Sequence, residues 1–153
     1  MKVSMHTLLL FGAVAAALAV SPLATAVAGA EPAPATAANA DYALGFQAVQ
    51  AKDWDRAVQH LENAARAEPR NADVQNLLGF TFRNQKKYEL AFTHYRQALT
   101  LDPDHRGAHE YIGEAYVLTG NSAKATEHLV ALLRICGKNC EEYQDLARAI
   151  AKR

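Results

Sequence analysis

The sequence predicts an all-α protein: a right-handed α-solenoid of three helix-turn-helix repeats closed by a C-terminal capping helix. Three observations carry the prediction. First, equivalent residues recur 34 positions apart: Leu44-Gly45, Leu78-Gly79 and Ile112-Gly113, then Ala57, Ala91 and Ala125, then Leu61, Tyr95 and Leu129. A fixed period of this length marks stacked repeats, none of which buries its apolar face alone. Second, apolar residues fall at helical spacing within each period, as in Val74, Leu77, Leu78 and Phe82. Third, Pro69 and Pro103 stand where helices must end, because proline cannot continue the hydrogen-bond ladder.

Composition narrows the classes of function. The 153 residues suit one domain, with 16 basic against 16 acidic side chains. A nucleic-acid or membrane-surface binder usually needs a basic excess, and none is present. Half of the residues are apolar, which permits a packed core and argues against global disorder.

Residues 1–30 read as a secretory signal peptide. Lys2 gives a short basic start, and Leu8 to Val20 is an unbroken run of apolar residues and glycine. That run is too short to cross about 30 Å of hydrocarbon as a helix. Ala28-Gly29-Ala30 has the A-x-A form, with cleavage after Ala30, and Ala24-Thr25-Ala26 is a second possible site. An uncleaved anchor is the competing reading. Cleavage implies export, and the short Ala-rich segment suggests a bacterial periplasm, an oxidising compartment. Residues 31–37 are Pro/Ala-rich without apolar periodicity and read as a flexible leader.

The repeats then run over residues 38–71, 72–105 and 106–139. Repeat two is the most complete, with Leu78, Gly79, Phe82, Ala91, Tyr95, Ala98 and Pro103 in register. Repeat one has Ala48 in place of the aromatic, and repeat three has Leu132 and Gly137 in place of alanine and proline. The pattern resembles the tetratricopeptide repeat: a large residue, Leu-Gly, an aromatic, Ala, a large apolar residue, Ala and Pro. Asn71 and Asp104 are expected N-caps, as is Asn121 for the last repeat's second helix. Residues 140–153 form the cap. Tyr143, Leu146, Ala147 and Ile150 make one apolar stripe, and Asn139 with Glu142 reads as its helix start.

The resemblance implies that the first helix of each repeat lines a concave groove. Carried over by register, the inward positions include Tyr42 and Phe46, then Asn76, Phe80, Arg83 and Asn84, then Glu110, Glu114, Val117 and Leu118. Three aromatics on one surface are typical binding anchors; packing of Tyr42 and Phe46 against the leader or against each other is the alternative. Arg83 is expected to be available for a ligand carboxylate, and Glu110 with Glu114 to make the far end acidic. A basic or mixed peptide suits that distribution. Some family members clamp a C-terminal dicarboxylate through Lys, Asn and Arg; Tyr42, Phe46, Asn76, Glu110 and Glu114 are the wrong chemistry for it.

Cys136 and Cys140 form a C-x3-C element. In an oxidising compartment a disulfide that staples the cap is favoured. A thiol-exchange pair, a soft-metal site and two free thiols are the alternatives. His105 and His109 are four apart, and His109 occupies a bulky inter-helix position. His60, His94 and His128 show no acidic or cysteine partner at ligand spacing. Asp53 and Asp55 flank Trp54 at a helix start, and Trp54 fills a packing position. No phosphate loop, G-x-S-x-G or H-E-x-x-H occurs. The expected function is therefore a non-catalytic periplasmic scaffold, needing no cofactor or metal, that binds a protein or peptide. It has no nucleic-acid partner and no membrane insertion after cleavage, and self-association is possible. A thiol-redox or soft-metal protein using Cys136 and Cys140 is the alternative.

Overall fold

The computed structural model describes residues 35–152, with side chains from residue 40 onward. The expected signal peptide over 1–30 lies outside the described residues. Seven α-helices follow one another: α1 (Ala35–Gln50), α2 (Trp54–Ala67), α3 (Ala72–Asn84), α4 (Tyr88–Leu101), α5 (Arg106–Leu118), α6 (Ser122–Cys136) and α7 (Glu141–Ala151). Among the described residues there is no strand, and no helix is long and apolar enough to cross a membrane. Helix α1 begins at Ala35, inside the stretch expected to be a flexible leader. Alanine is the strongest helix former, and four of residues 35–40 are alanine.

Packing runs mainly between successive helices. The hairpins α1–α2, α3–α4 and α5–α6 are the repeats, and α7 lies on both α5 and α6. The first helices also touch in a row, α1 on α3, α3 on α5 and α5 on α7, whereas α2, α4 and α6 do not touch one another. Contact along one row and separation along the other bends the stack. The concave side is therefore α1, α3, α5 and α7. The core lies between the layers, where Leu61, Val74, Leu78, Tyr95, Ile112, Leu132 and Leu146 are essentially inaccessible.

Two features explain the close hairpins. A β-carbon at Gly79 would lie 2.5 Å from the Tyr95 ring. The α3–α4 hairpin thus closes only because residue 79 has no side chain. At the matching Gly113 the close neighbour is Leu146, at 2.5 Å from such a β-carbon, so α7 seats itself on repeat three there. The turns repeat as well. Asp53, Lys87 and Asn121 donate their N–H to Ala48, Phe82 and Tyr116 carbonyls at 2.9, 2.9 and 2.8 Å. The preceding residues Lys52, Lys86 and Gly120 all have left-handed backbone, at φ 58°, 61° and 81°. This is the closure that ends a helix through one left-handed residue.

Asp53, Asn71 and Asn121 cap α2, α3 and α6, each accepting a backbone N–H at 3.2 Å. Two expected caps are corrected. Helix α5 is capped by His105, whose Nδ1 accepts from Ala108 N at 3.1 Å. Asp104 instead takes Arg134 at 2.6 Å. Helix α7 starts after Cys140 with no side-chain cap, one residue beyond Asn139. The chain turns at Gly137, where φ is 77°, and that delays the helix.

Candidate functional site

Arg83 of α3 is the centre of the concave face. It is largely but not fully enclosed and paired with Glu114 of α5. Its guanidinium lies over Phe80 at 5.1 Å and over Tyr111 at 5.3 Å, and the two rings are 4.9 Å apart. Burial works to lower the Arg83 pKa; Tyr95, Glu114 and Tyr111 outweigh it and raise the value. The expectation that Arg83 waits for a ligand carboxylate is corrected: Glu114 already holds it. Tyr111 completes this cluster and was not among the expected site residues. Trp54 meets the edge of Phe80 at 6.3 Å, so Phe80 is wedged between neighbours.

A cavity of about 450 Å3 opens beside this cluster, lined by Arg83, Asn84, Glu114, Val117, Leu118, Ala149 of α7 and Lys152 just after it. Five of these are inward positions expected from the repeat register, and the capping helix supplies the rest of the wall. The expected aromatics differ in exposure. Phe46 is 43% exposed, Tyr42 and Phe80 are half-buried. Burial raises the Tyr42 hydroxyl pKa, with Asp73 adding to it.

At the other end of the same row, Asn76 and Glu110 line a second cavity with Tyr111 and the α7 carboxylates Glu141, Glu142 and Asp145. Glu110 is only 8% exposed. Burial, then Glu114 and Glu142, push its carboxyl up to about 7, against the pull of Arg83. The acidic end is therefore Glu110 with α7, whereas Glu114 is neutralised by Arg83.

Two tetratricopeptide-repeat family models match the sequence, one over residues 42–105 and the other over residues 82–150. The chain belongs to the tetratricopeptide-repeat family. Human protein O-mannosyl-transferase TMTC3 is 29% identical over 75 residues, and the mouse protein is 30% identical over 73. Those matches cover 49% and 48% of this chain and only 8% of each relative. Among solved structures, the Arabidopsis OM64 TPR domain superposes with a TM-score of 0.71 at 18% identity, covering 78% of this chain and 98% of that one. The first TPR of Spaghetti (RPAP3) bound to the HSP90 peptide SRMEEVD gives 0.69 at 18%, covering 76% and 92%. The TPR2B domain of yeast Sti1 in complex with pHsp70 gives 0.68 at 18%, covering 77% and 99%. These likenesses establish the fold.

One departure from the tetratricopeptide pattern recurs in every repeat. The opening large residue is replaced by Asp41, Gln75 and His109, all polar. Each meets a histidine 19 residues on: Asp41 with His60 at 2.7 Å, Gln75 with His94 at 2.8 Å, and His109 with His128 at 2.9 Å. The expectation that these histidines lack an acidic partner is corrected at His60. His105 and His109 do not act together, since one caps α5 and the other turns to His128 and the Pro103 carbonyl. The pairs join the two helices of a hairpin and stand apart from the concave residues.

Cys136 and Cys140 are drawn together with their sulfurs at bonding distance and Cα atoms 5.8 Å apart. They lie where α6 passes to α7.

Proposed function

We propose that this tetratricopeptide protein is an exported, non-catalytic interaction module that binds an extended peptide segment of a partner along α1, α3, α5 and α7. The observation that carries this reading is the concave row itself. It holds exposed Phe46, the Arg83–Glu114 cluster and a cavity of about 450 Å3 between α3, α5 and α7. Spaghetti and Sti1 present the same fold in complexes with HSP90 and pHsp70 partners, which supports the use of the groove. The ligand class differs, because Glu110 and the α7 carboxylates disfavour an acidic tail. Binding of this kind needs no cofactor.

The test is selection of short random peptides against the purified chain, compared with Phe46→Ser/Leu118→Ser. Both positions are exposed, at 43% and 48%, so the fold tolerates the change, unlike substitution of wedged Phe80. A recurrent motif on the wild type that is lost in the variant is the expected result. Equal selection by both proteins would move the site off the groove. Export directed by the expected signal peptide over 1–30 is checked by cell fractionation and N-terminal sequencing; mature protein starting at Glu31 in the periplasm is expected.

One observation favours a second reading. The sulfurs of Cys136 and Cys140 and a Glu142 carboxylate oxygen lie within 4.8 Å of one another, a geometry that a reduced pair would offer a soft metal. Cys136→Ser/Cys140→Ser separates the readings: peptide selection unchanged supports the groove, and loss of activity without unfolding supports the cysteines.

A further inference from the structure

The cavity at the starts of α3, α5 and α7 measures about 260 Å3. Its wall includes four carboxylates, Glu110, Glu141, Glu142 and Asp145, and no cation. Two of them are occupied, Glu142 by Arg106 at 3.5 Å and Asp145 by Arg148. Among the described residues, Glu110 and Glu141 make no ion pair.

Acidic groups alone would say little. Two side chains in the wall say more, because both are more than nine-tenths buried and neither has a partner. Asn76 is 7% exposed and Glu110 is 8% exposed. The Asn76 Oδ1 is shut from solvent with no donor in reach. Its Nδ2 lies over Gly107, 3.2 Å from where a β-carbon would stand, so the glycine gives the carboxamide room to turn over. A buried acceptor without a donor and a buried carboxylate without a cation both raise the free energy of the empty site. A ligand with several N–H donors and a positive charge would answer Glu110 directly, and Asn76 once its carboxamide turns to present Oδ1 to the cavity.

We propose that this cavity is a subsite for the guanidinium group of an arginine side chain in the bound peptide. The proposal rests on the peptide-groove reading above. Glu110 receives the guanidinium through charge-assisted hydrogen bonds. Asn76 accepts a further N–H after a half-turn of its carboxamide, and Glu141 adds a negative field. A planar cation with five donors spans groups that are set apart, whereas a bare metal ion needs them converged. The spacing decides between them. Among the described residues, the three ligating side chains whose donor atoms lie within 4.8 Å of one another are Cys136, Cys140 and Glu142; of this cavity's four carboxylates only Glu142 belongs to that group, and no three of them converge so closely.

The charge state of Glu110 supports the same ligand. Facing it are Arg83 from α3, Glu114 and Tyr111 from α5, and Glu141 and Glu142 from α7. With its carboxyl pushed up to about 7, Glu110 is about half protonated at neutral pH. A cation selects the ionised form and releases that proton. Affinity therefore falls as pH drops below about 7.

The probe is Nα-acetyl-arginine methylamide, titrated into the purified chain and followed by NMR. The signals are the Asn76 side-chain NH2 and the Glu110 carboxyl carbon. The neutral citrulline analogue, the lysine analogue and calcium chloride serve as comparators. Expected are saturable shifts of both signals with the arginine probe, at least tenfold weaker with citrulline and with Glu110→Gln, and binding several-fold tighter at pH 8 than at pH 6. Glu110→Gln keeps shape and removes a buried charge, so the variant stays folded. Equal binding of citrulline, equal binding by Glu110→Gln, an equal response to lysine, or calcium chloride moving the same signals in place of arginine would each overturn the proposal. Peptide selection separates this from the groove reading. A selected motif without arginine, and no response to the probe, would sink the subsite and leave the groove. A response to the probe with no selected motif would keep the subsite and sink the groove.

Discussion

Glu110 and His128 titrate in opposite senses, and each has a residue-scale reason. Glu110 is a buried carboxylate without a cation, raised from 4.5 to about 7. The native state holds its proton more tightly than the unfolded chain, so stability falls as pH rises from about 4.5 through 7. Glu110→Gln should therefore raise the urea midpoint at pH 8 and have little effect at pH 4.5. His128 is lowered from 6.5 to about 4, by burial first and then by His109 and Lys124. His109 Nε2 faces the Pro103 carbonyl at 3.0 Å, which makes it the donor there and leaves Nδ1 to accept from His128. The native state therefore resists protonation of His128, and stability is lost as pH falls from about 6.5 through 4. The two slopes, each at most about 1.4 kcal/mol per pH unit, oppose one another between pH 4.5 and 6.5. A flat profile is expected for the wild type in that window. Glu110→Gln should uncover a rise with pH, and His128→Gln a fall, in urea titrations across it. The register made Glu110 legible as an inward acid. The neutralisation of Glu114 by Arg83 was not, since it joins side chains 31 residues apart across two helices.

Each hairpin is set by its turn, and the three turns differ in a testable way. Lys52 and Lys86 hold the left-handed backbone that Gly120 holds in repeat three. That conformation costs an ordinary residue about 1–2 kcal/mol, partly offset by the extra chain entropy of an unfolded glycine. Lys86→Gly should stabilise by about 0.5–1 kcal/mol, and Gly120→Ala should destabilise by about 1 kcal/mol, by denaturant unfolding. Gly79→Ala is expected to cost about 1–3 kcal/mol, because its β-carbon meets a Tyr95 ring that is wholly enclosed. At this scale the sequence is informative where periodicity rules. The cap at His105 lies 34 residues after the cap at Asn71, so the register points to it, while side-chain chemistry alone favours neighbouring Asp104. The left-handed lysines were not legible, as nothing in a lysine announces its backbone angle. The histidine pairs were not legible as contacts, because their partners lie on opposite helices of a hairpin.

Among the described residues, contacts between helices join only near neighbours in the chain. This is why the solenoid could be read from the period alone, and why the capping helix could not be placed in the same detail. Helix α7 is outside the period, and its seat on α5, which brings Glu141, Glu142 and Asp145 beside Glu110, follows from packing at Gly113. The Cys136–Cys140 link closes a short loop, so Cys136→Ser/Cys140→Ser should lower stability by roughly 2 kcal/mol on the chain-entropy account, read as a lower denaturant midpoint with the α-helical spectrum retained. A stack held only by nearest neighbours also opens from its ends. Amide hydrogens of α3 and α4, flanked on both sides, should exchange slowest, and those of α7 fastest. The cavity spanning Asn76, Glu110 and Asp145 bridges three successive inner helices. An occupant there would tie the fraying end to the protected middle. Deuterium uptake in α7 would then serve as a gauge of whether the groove is filled.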